Sequence, residues 1–234
     1  MPELFREGIL EMSTSPLLPS DGAQLWGHFL LNRIAVVAVV ALMLIEISDL
    51  IRIFPQLLRC LSRWKGNVEV EHSVSVARMR NTITLPSVLA IAILANRFRL
   101  FNATFMAPVD PEWSLVVSVG IVLAVLFVRW IFYLCTPLRS RTNELALTLR
   151  HVIFNYLILL SVVMLVSALL LMALKVPSTA VRGVLLAECG LFYLLHLRRT
   201  SQILSSRYGS LATILYLCAL EILPVGILIF VSTL

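Results

Sequence analysis

The run Tyr216-Leu217-Cys218-Ala219-Leu220-Glu221-Ile222-Leu223-Pro224 decides how the chain is read. It sets a carboxylate and a proline inside an apolar stretch that extends from Leu211 to Leu234. At about 1.5 Å per residue, Glu221 lies roughly 15 Å into that stretch. This is about half of a ~30 Å hydrocarbon core, the depth at which an ionised group is least tolerated. A helix that carries such a residue needs other helices to shield it, so the run points to a helical bundle in a membrane.

Composition agrees. Of 234 residues, 59% are hydrophobic and 14% charged, and mean hydropathy is +0.94. A soluble domain has about 45–50% apolar and about 25% charged residues, so the expected fold is an all-α, polytopic bundle of about six transmembrane helices. The net charge of +6 does not point to nucleic acid, because the basic residues sit in short loops between apolar runs. Cys60, Cys135, Cys189 and Cys218 are isolated, without paired spacing, and read as packing residues rather than disulfides or a zinc site.

The expected spans are 29–51, 82–101, 114–135, 152–174, 180–197 and 211–234, within one transmembrane domain over residues 29–234. Residues 1–28 carry four acids and one arginine. They form an expected external segment with a short interfacial helix near its start, and no cleaved signal peptide is apparent. The connection 52–81 holds six basic residues, and Ile53, Leu57, Leu58, Leu61 and Trp64 mark an amphipathic stretch suited to headgroups. The second apolar segment is the weakest, broken by Pro86 and ended by Asn96, Arg97 and Arg99, and a re-entrant segment is the alternative there. Charge favours six crossings: loops after spans one, three and five then carry twelve Lys/Arg, against six on the other side. The positive-inside rule places the first set in the cytoplasm and both termini outside.

Four acids fall in or beside the spans. Glu46 and Asp49 lie near a membrane edge and read as an interfacial i, i+3 pair. Glu188 and Glu221 fall at similar depth in the last two spans, where their carboxyl groups are expected to approach each other. A mid-membrane charge costs about 2.5–3.5 kcal/mol, whereas one interhelical hydrogen bond returns about 0.6, so each acid must be protonated, multiply bonded, or beside water or a cation. Asn155, Tyr156, Tyr193, His196 and Tyr216 complete a candidate polar layer toward the cytoplasmic ends of spans four to six. Tyr216 and Glu221 are about 140° apart on an ideal helix and need not share a face. Arg129, six residues from the end of span three, is expected to snorkel past Trp130 and Tyr133. Pro224 cannot donate to the carbonyl of Leu220, so a kink is expected beside Glu221. The first reading of this layer is interhelical adhesion or partner docking, and the functional alternative is a proton or cation path.

No GxSxG, HExxH, P-loop or GxGxxG motif occurs. An enzyme is not expected, nor any cofactor or metal. The terminal run quoted above, together with Arg150-His151-Val152-Ile153-Phe154-Asn155-Tyr156, resembles a group of inner-membrane proteins from Bacteroidota. The group is catalogued as domain of unknown function number four-two-seven-one, and the likeness is strongest over about residues 115–234. It implies a multi-pass protein of a Gram-negative inner (cytoplasmic) membrane, with periplasm on the outer face, and supplies no activity. The leading expectation is a non-enzymatic subunit or scaffold of an envelope membrane complex. Its partners would be the lipid bilayer and another membrane protein or further copies of itself, with no role for nucleic acid. The alternative is a small proton- or cation-coupled transporter or channel subunit that uses Glu188 and Glu221.

Overall fold

The computed structural model describes residues 26–100, 109–135, 143–206, 209–223 and 225–226. Among these residues the chain is all-helical, with eight α-helices, one π-helical turn and no strand. In chain order they are α1 (Leu30–Ile45), α2 (Ile47–Ser62), α3 (Trp64–His72), α4 (Val74–Arg97), α5 (Ser114–Cys135), α6 (Asn143–Ala173), α7 (Ser178–Ser205) and α8 (Ser210–Leu217). The π-helical turn, Cys218–Ile222, continues directly from α8.

Three segments are long and apolar enough to cross a membrane: Ser114–Tyr133, Thr148–Ala173 and Ser178–Ser205. The pair α1 and α2 makes a fourth candidate, bent by 70°. The expected first span, 29–51, is thus not one straight helix. It breaks at Glu46, where polar residues replace the apolar core and the chain turns into α2. The expected amphipathic stretch is a helix, but its apolar stripe is seated on protein: Ile53, Leu57 and Cys60 are fully buried. Leu58 on another face stays exposed, as do Arg52, Arg59 and Arg63.

The second apolar segment forms the centre of the bundle. The helix α4 begins at Val74, eight residues earlier than the expected 82, and runs without interruption through Pro86. It packs against α1, α2, α3, α5 and α6. Ser87, Ala90, Ala92 and Ala95 are buried along it, and small side chains of this kind let neighbouring backbones approach. At the far end of α4, Asn96 accepts a hydrogen bond from the Trp26 indole at 2.5 Å and donates to Ser118 on α5 at 3.0 Å.

The ends of α4 and α6 are closed in the same way. Leu100 N–H donates to Ala95 and Arg99 N–H to Asn96, while Val176 N–H donates to Leu171 and Lys175 N–H to Met172. Arg99 and Lys175 take the left-handed conformation, with φ of 48° and 55°, that this six-to-one pattern requires. The expected sixth span, 211–234, is seen as α8 and the π-helical turn. Residues 227–234 and Pro224, the expected kink, lie outside the described residues, as do residues 1–25 with the expected interfacial helix.

Candidate functional site

On α5, Arg129 and Tyr133 are four residues apart and so share a face. On α7, Tyr193 and His196 are three apart and do the same. Glu221 lies eleven residues beyond Ser210, roughly 16 Å along its helix, and falls in the π-helical turn. These three elements meet at a buried ionic centre. Arg129 forks onto the Glu221 carboxylate, donating from Nη2 to Oε1 at 2.6 Å and from Nε to Oε2 at 3.1 Å. The Tyr133 hydroxyl donates to Oε1 at 2.8 Å, and His196 Nε2 meets Oε2 at 3.0 Å. Tyr193 donates to the backbone carbonyl of Glu221 at 3.2 Å, and Arg129 Nη1 reaches the Arg150 carbonyl on α6 at 3.4 Å. Arg129 is 5% exposed and Glu221 3%. Bidentate geometry and two further donors are what a buried charge pair needs to offset its lost hydration.

A second ionic cluster ties α3, α4 and α6. The Glu71 carboxylate accepts from Arg80 Nη1 at 2.5 Å and is bonded to His151 Nδ1 at 2.9 Å. Burial opposes ionisation of Glu71, but the hydrogen bonds and charge of His151 and Arg80 outweigh it and hold the carboxyl below its ordinary range.

Between the two clusters lies a network centred on the fourth turn of α6. Asn155 donates to Asn67 Oδ1 on α3 at 3.0 Å. The next residue, Tyr156, donates to the Cys60 carbonyl at 3.2 Å and meets the His196 ring edge-on, with centroids 5.4 Å apart. Arg199 donates to the carbonyls of Leu61 and Ser62. The carbonyls that close α2 have no partner within their own helix, and α6 and α7 supply the missing donors.

The structure therefore brings Glu221, Tyr193, His196, Tyr156 and Asn155 into one connected polar region. Tyr216 packs at the edge of the main apolar core. Glu188 stands apart: its carboxylate accepts from Ser167 on α6 at 3.0 Å, and no described hydrogen bond joins it to Glu221. The expected contact between two acids is replaced by an acid–arginine pair, because Arg129 points into the bundle instead of snorkelling to an edge. Sequence reasoning missed Arg129 and Tyr133 as partners of Glu221, and Asn67, Glu71, Arg80 and Arg199 altogether. The signal for Arg129 was present, since a lone arginine inside an apolar span calls for an acid at similar depth. Among the described residues, no group of three or more His, Cys, Asp or Glu side chains is gathered so as to hold a metal ion. The cavity beside Arg129 measures about 70 Å³, lined by Leu126, Trp130, Tyr133, Arg150, His151 and Phe154.

A family model described as Domain of unknown function (DUF4271) matches residues 29–231. No curated protein and no solved structure matches the chain.

Proposed function

The chain belongs to the family described as Domain of unknown function (DUF4271), and from its buried ionic centre we propose that it is a non-enzymatic subunit or scaffold of an envelope membrane complex. Its setting in this reading is the inner membrane of a Gram-negative bacterium of the Bacteroidota type. It crosses that membrane about six times as a single transmembrane domain over residues 29–234, with both termini in the periplasm. The twelve-to-six distribution of Lys/Arg between alternate loops supports this orientation.

One observation carries the scaffold reading. A carboxylate offers about four lone-pair sites, and at Glu221 the Arg129 fork, Tyr133 and His196 take up the two oxygens completely. No acceptor is left for a substrate, so this buried charge serves to lock three helices. The outward faces beside this lock are apolar, with Leu186, Leu191 and Leu194 on α7 and Leu211, Ile214 and Leu215 on α8 all exposed. Lipid covers such faces, and so can a membrane partner or a second copy. A transport path built jointly on Glu188 and Glu221 finds less support, because the two acids have different partners.

Crosslinking in native membranes followed by affinity capture tests the reading. A membrane protein, or a further copy of this chain, should be recovered in fixed proportion. A lone, monodisperse protein after both crosslinking and mild-detergent extraction overturns it.

A further inference from the structure

Of nine buried side-chain polar atoms without a protein partner among the described residues, five are gathered in one place. These are Asn67 Nδ2, Asn155 Oδ1, His196 Nδ1, Arg199 Nε and Thr200 Oγ1. They belong to α3, α6 and α7, which pack on one another. Asn155 touches Asn67 directly, Tyr156 joins Asn155 to the His196 ring, and His196, Arg199 and Thr200 recur on one face of α7. Asn67, Asn155 and Thr200 are each 1% exposed and His196 is 2% exposed. Exchanging oxygen and nitrogen in either amide still leaves one end of each unpaired. The imidazole is fixed by its Nε2 contact with Glu221 at 3.0 Å, which leaves Nδ1 without a partner.

Leaving so many buried groups unsatisfied would cost a large share of a protein's whole stability, and a bilayer offers them no other partner. Their chemistry identifies what satisfies them. Asn67 Nδ2 and Arg199 Nε are donors, Asn155 Oδ1 is an acceptor, and Thr200 and His196 Nδ1 can act as either. A cation would suit only the acceptors and an anion only the donors. Water suits all five.

We infer that the junction of α3, α6 and α7 is an internal water-binding seam that reaches the free Nδ1 edge of the His196 ring from the α3 side of the bundle. The inference rests on the membrane reading but holds for a lone protein as well as for a subunit.

The test uses the full-length protein in lipid nanodiscs with nitrogen-15-labelled histidine, the His196 signals being assigned by their loss in His196→Phe. Magnetisation transfer from water to the His196 ring should be seen in the native protein. In Asn155→Leu and in Thr200→Val it should slow by about tenfold, the equivalent of one lost hydrogen bond. If Asn155→Leu fails to fold, as judged by size-exclusion profile, Thr200→Val carries the comparison. A dry His196 in the native protein, or transfer unchanged in the folded variants, overturns the seam. Release of the protein from membranes by an alkaline carbonate wash would instead overturn the membrane reading beneath it.

Discussion

Arg129 and Glu221 have value only as a pair. Removing one partner of a buried ion pair leaves an unpaired charge in low dielectric and costs about 3–5 kcal/mol, whereas replacing both by apolar residues is often close to neutral. Arg129→Met and Glu221→Leu should therefore each lower the thermal stability of the detergent-solubilised protein sharply, and the double variant should recover most of the loss. Additive losses in that double-mutant cycle would refute the coupling. Glu71 makes a different prediction, because it lies outside the spanning segments and its folded carboxyl is held below the ordinary range. The sign follows from linkage: such a group contributes stability that is complete above its unfolded pKa of about 4.3 and is lost as pH falls through the lower folded value. Thermal unfolding followed against pH should thus show a loss of stability on acidification below about pH 4 that is weaker in Glu71→Gln. Equal pH dependence in the two proteins would remove Glu71 from the account.

At the scale of elements, α3 shows how closely the arm formed with α2 is fitted. A Cβ on Gly66 would come within 3.0 Å of the backbone carbonyl of Arg59, in the last turn of α2. Main chain cannot yield as a flexible side chain does, so Gly66→Ala should cost about 1–3 kcal/mol, the range of overpacking. Denaturation in detergent measures this, and an unchanged midpoint would mean that the arm moves freely. The same scale explains which helices were readable in advance. The helices α5, α6 and α7 present much of their surface outward, so their hydropathy announces them. Surrounded by five neighbours, α4 needs small and hydrogen-bonding residues where a lipid-facing helix needs bulk. Ser87, the alanines and Asn96 therefore lower the hydropathy of the central helix, which is not among the segments long and apolar enough to cross a membrane. Glu221 was legible as anomalous from its depth. Its partners were not, because a separation of 92 positions between Arg129 and Glu221 carries no periodicity that reports which faces meet. The π-helical turn also shifts the register on which the 140° separation of Tyr216 and Glu221 was reckoned. π-Turns inside α-helices are frequent at functional positions, and here the turn delivers the acid to the centre.

Across the whole molecule, the ionic centre, the Glu71 cluster and the α2–α3 arm are linked through the third and fourth turns of α6. The Trp26–Asn96–Ser118 contacts lie at the other end of α4. Beyond them, His28, Phe29, Glu112 and Trp113 line a common groove of about 600 Å³. The two ends should face opposite compartments. In spheroplasts, a cysteine at Glu112 should react with a membrane-impermeant maleimide, while one at Lys65 should react only after permeabilisation. The reverse pattern would invert the proposed orientation, and equal reaction of both would place the two ends on one side.

The distance along the chain between Arg129 and Glu221 also matters while the protein is being made. Ribosomes add roughly 5–20 residues per second, so Arg129 precedes its counter-ion by roughly 5–20 s. For that interval an arginine already threaded toward the bilayer has no acid to meet, and on insertion scales such a charge costs about 2.5–3.5 kcal/mol. The α2–α3 arm is kept waiting as well, since Tyr156 and Arg199, which hold its end, are translated 96 and 138 residues after the carbonyls they bind. Insertion of α5 is thus provisional until the turn bearing Glu221 leaves the ribosome. Chains cut short before that turn should be the ones that membrane quality-control proteases remove.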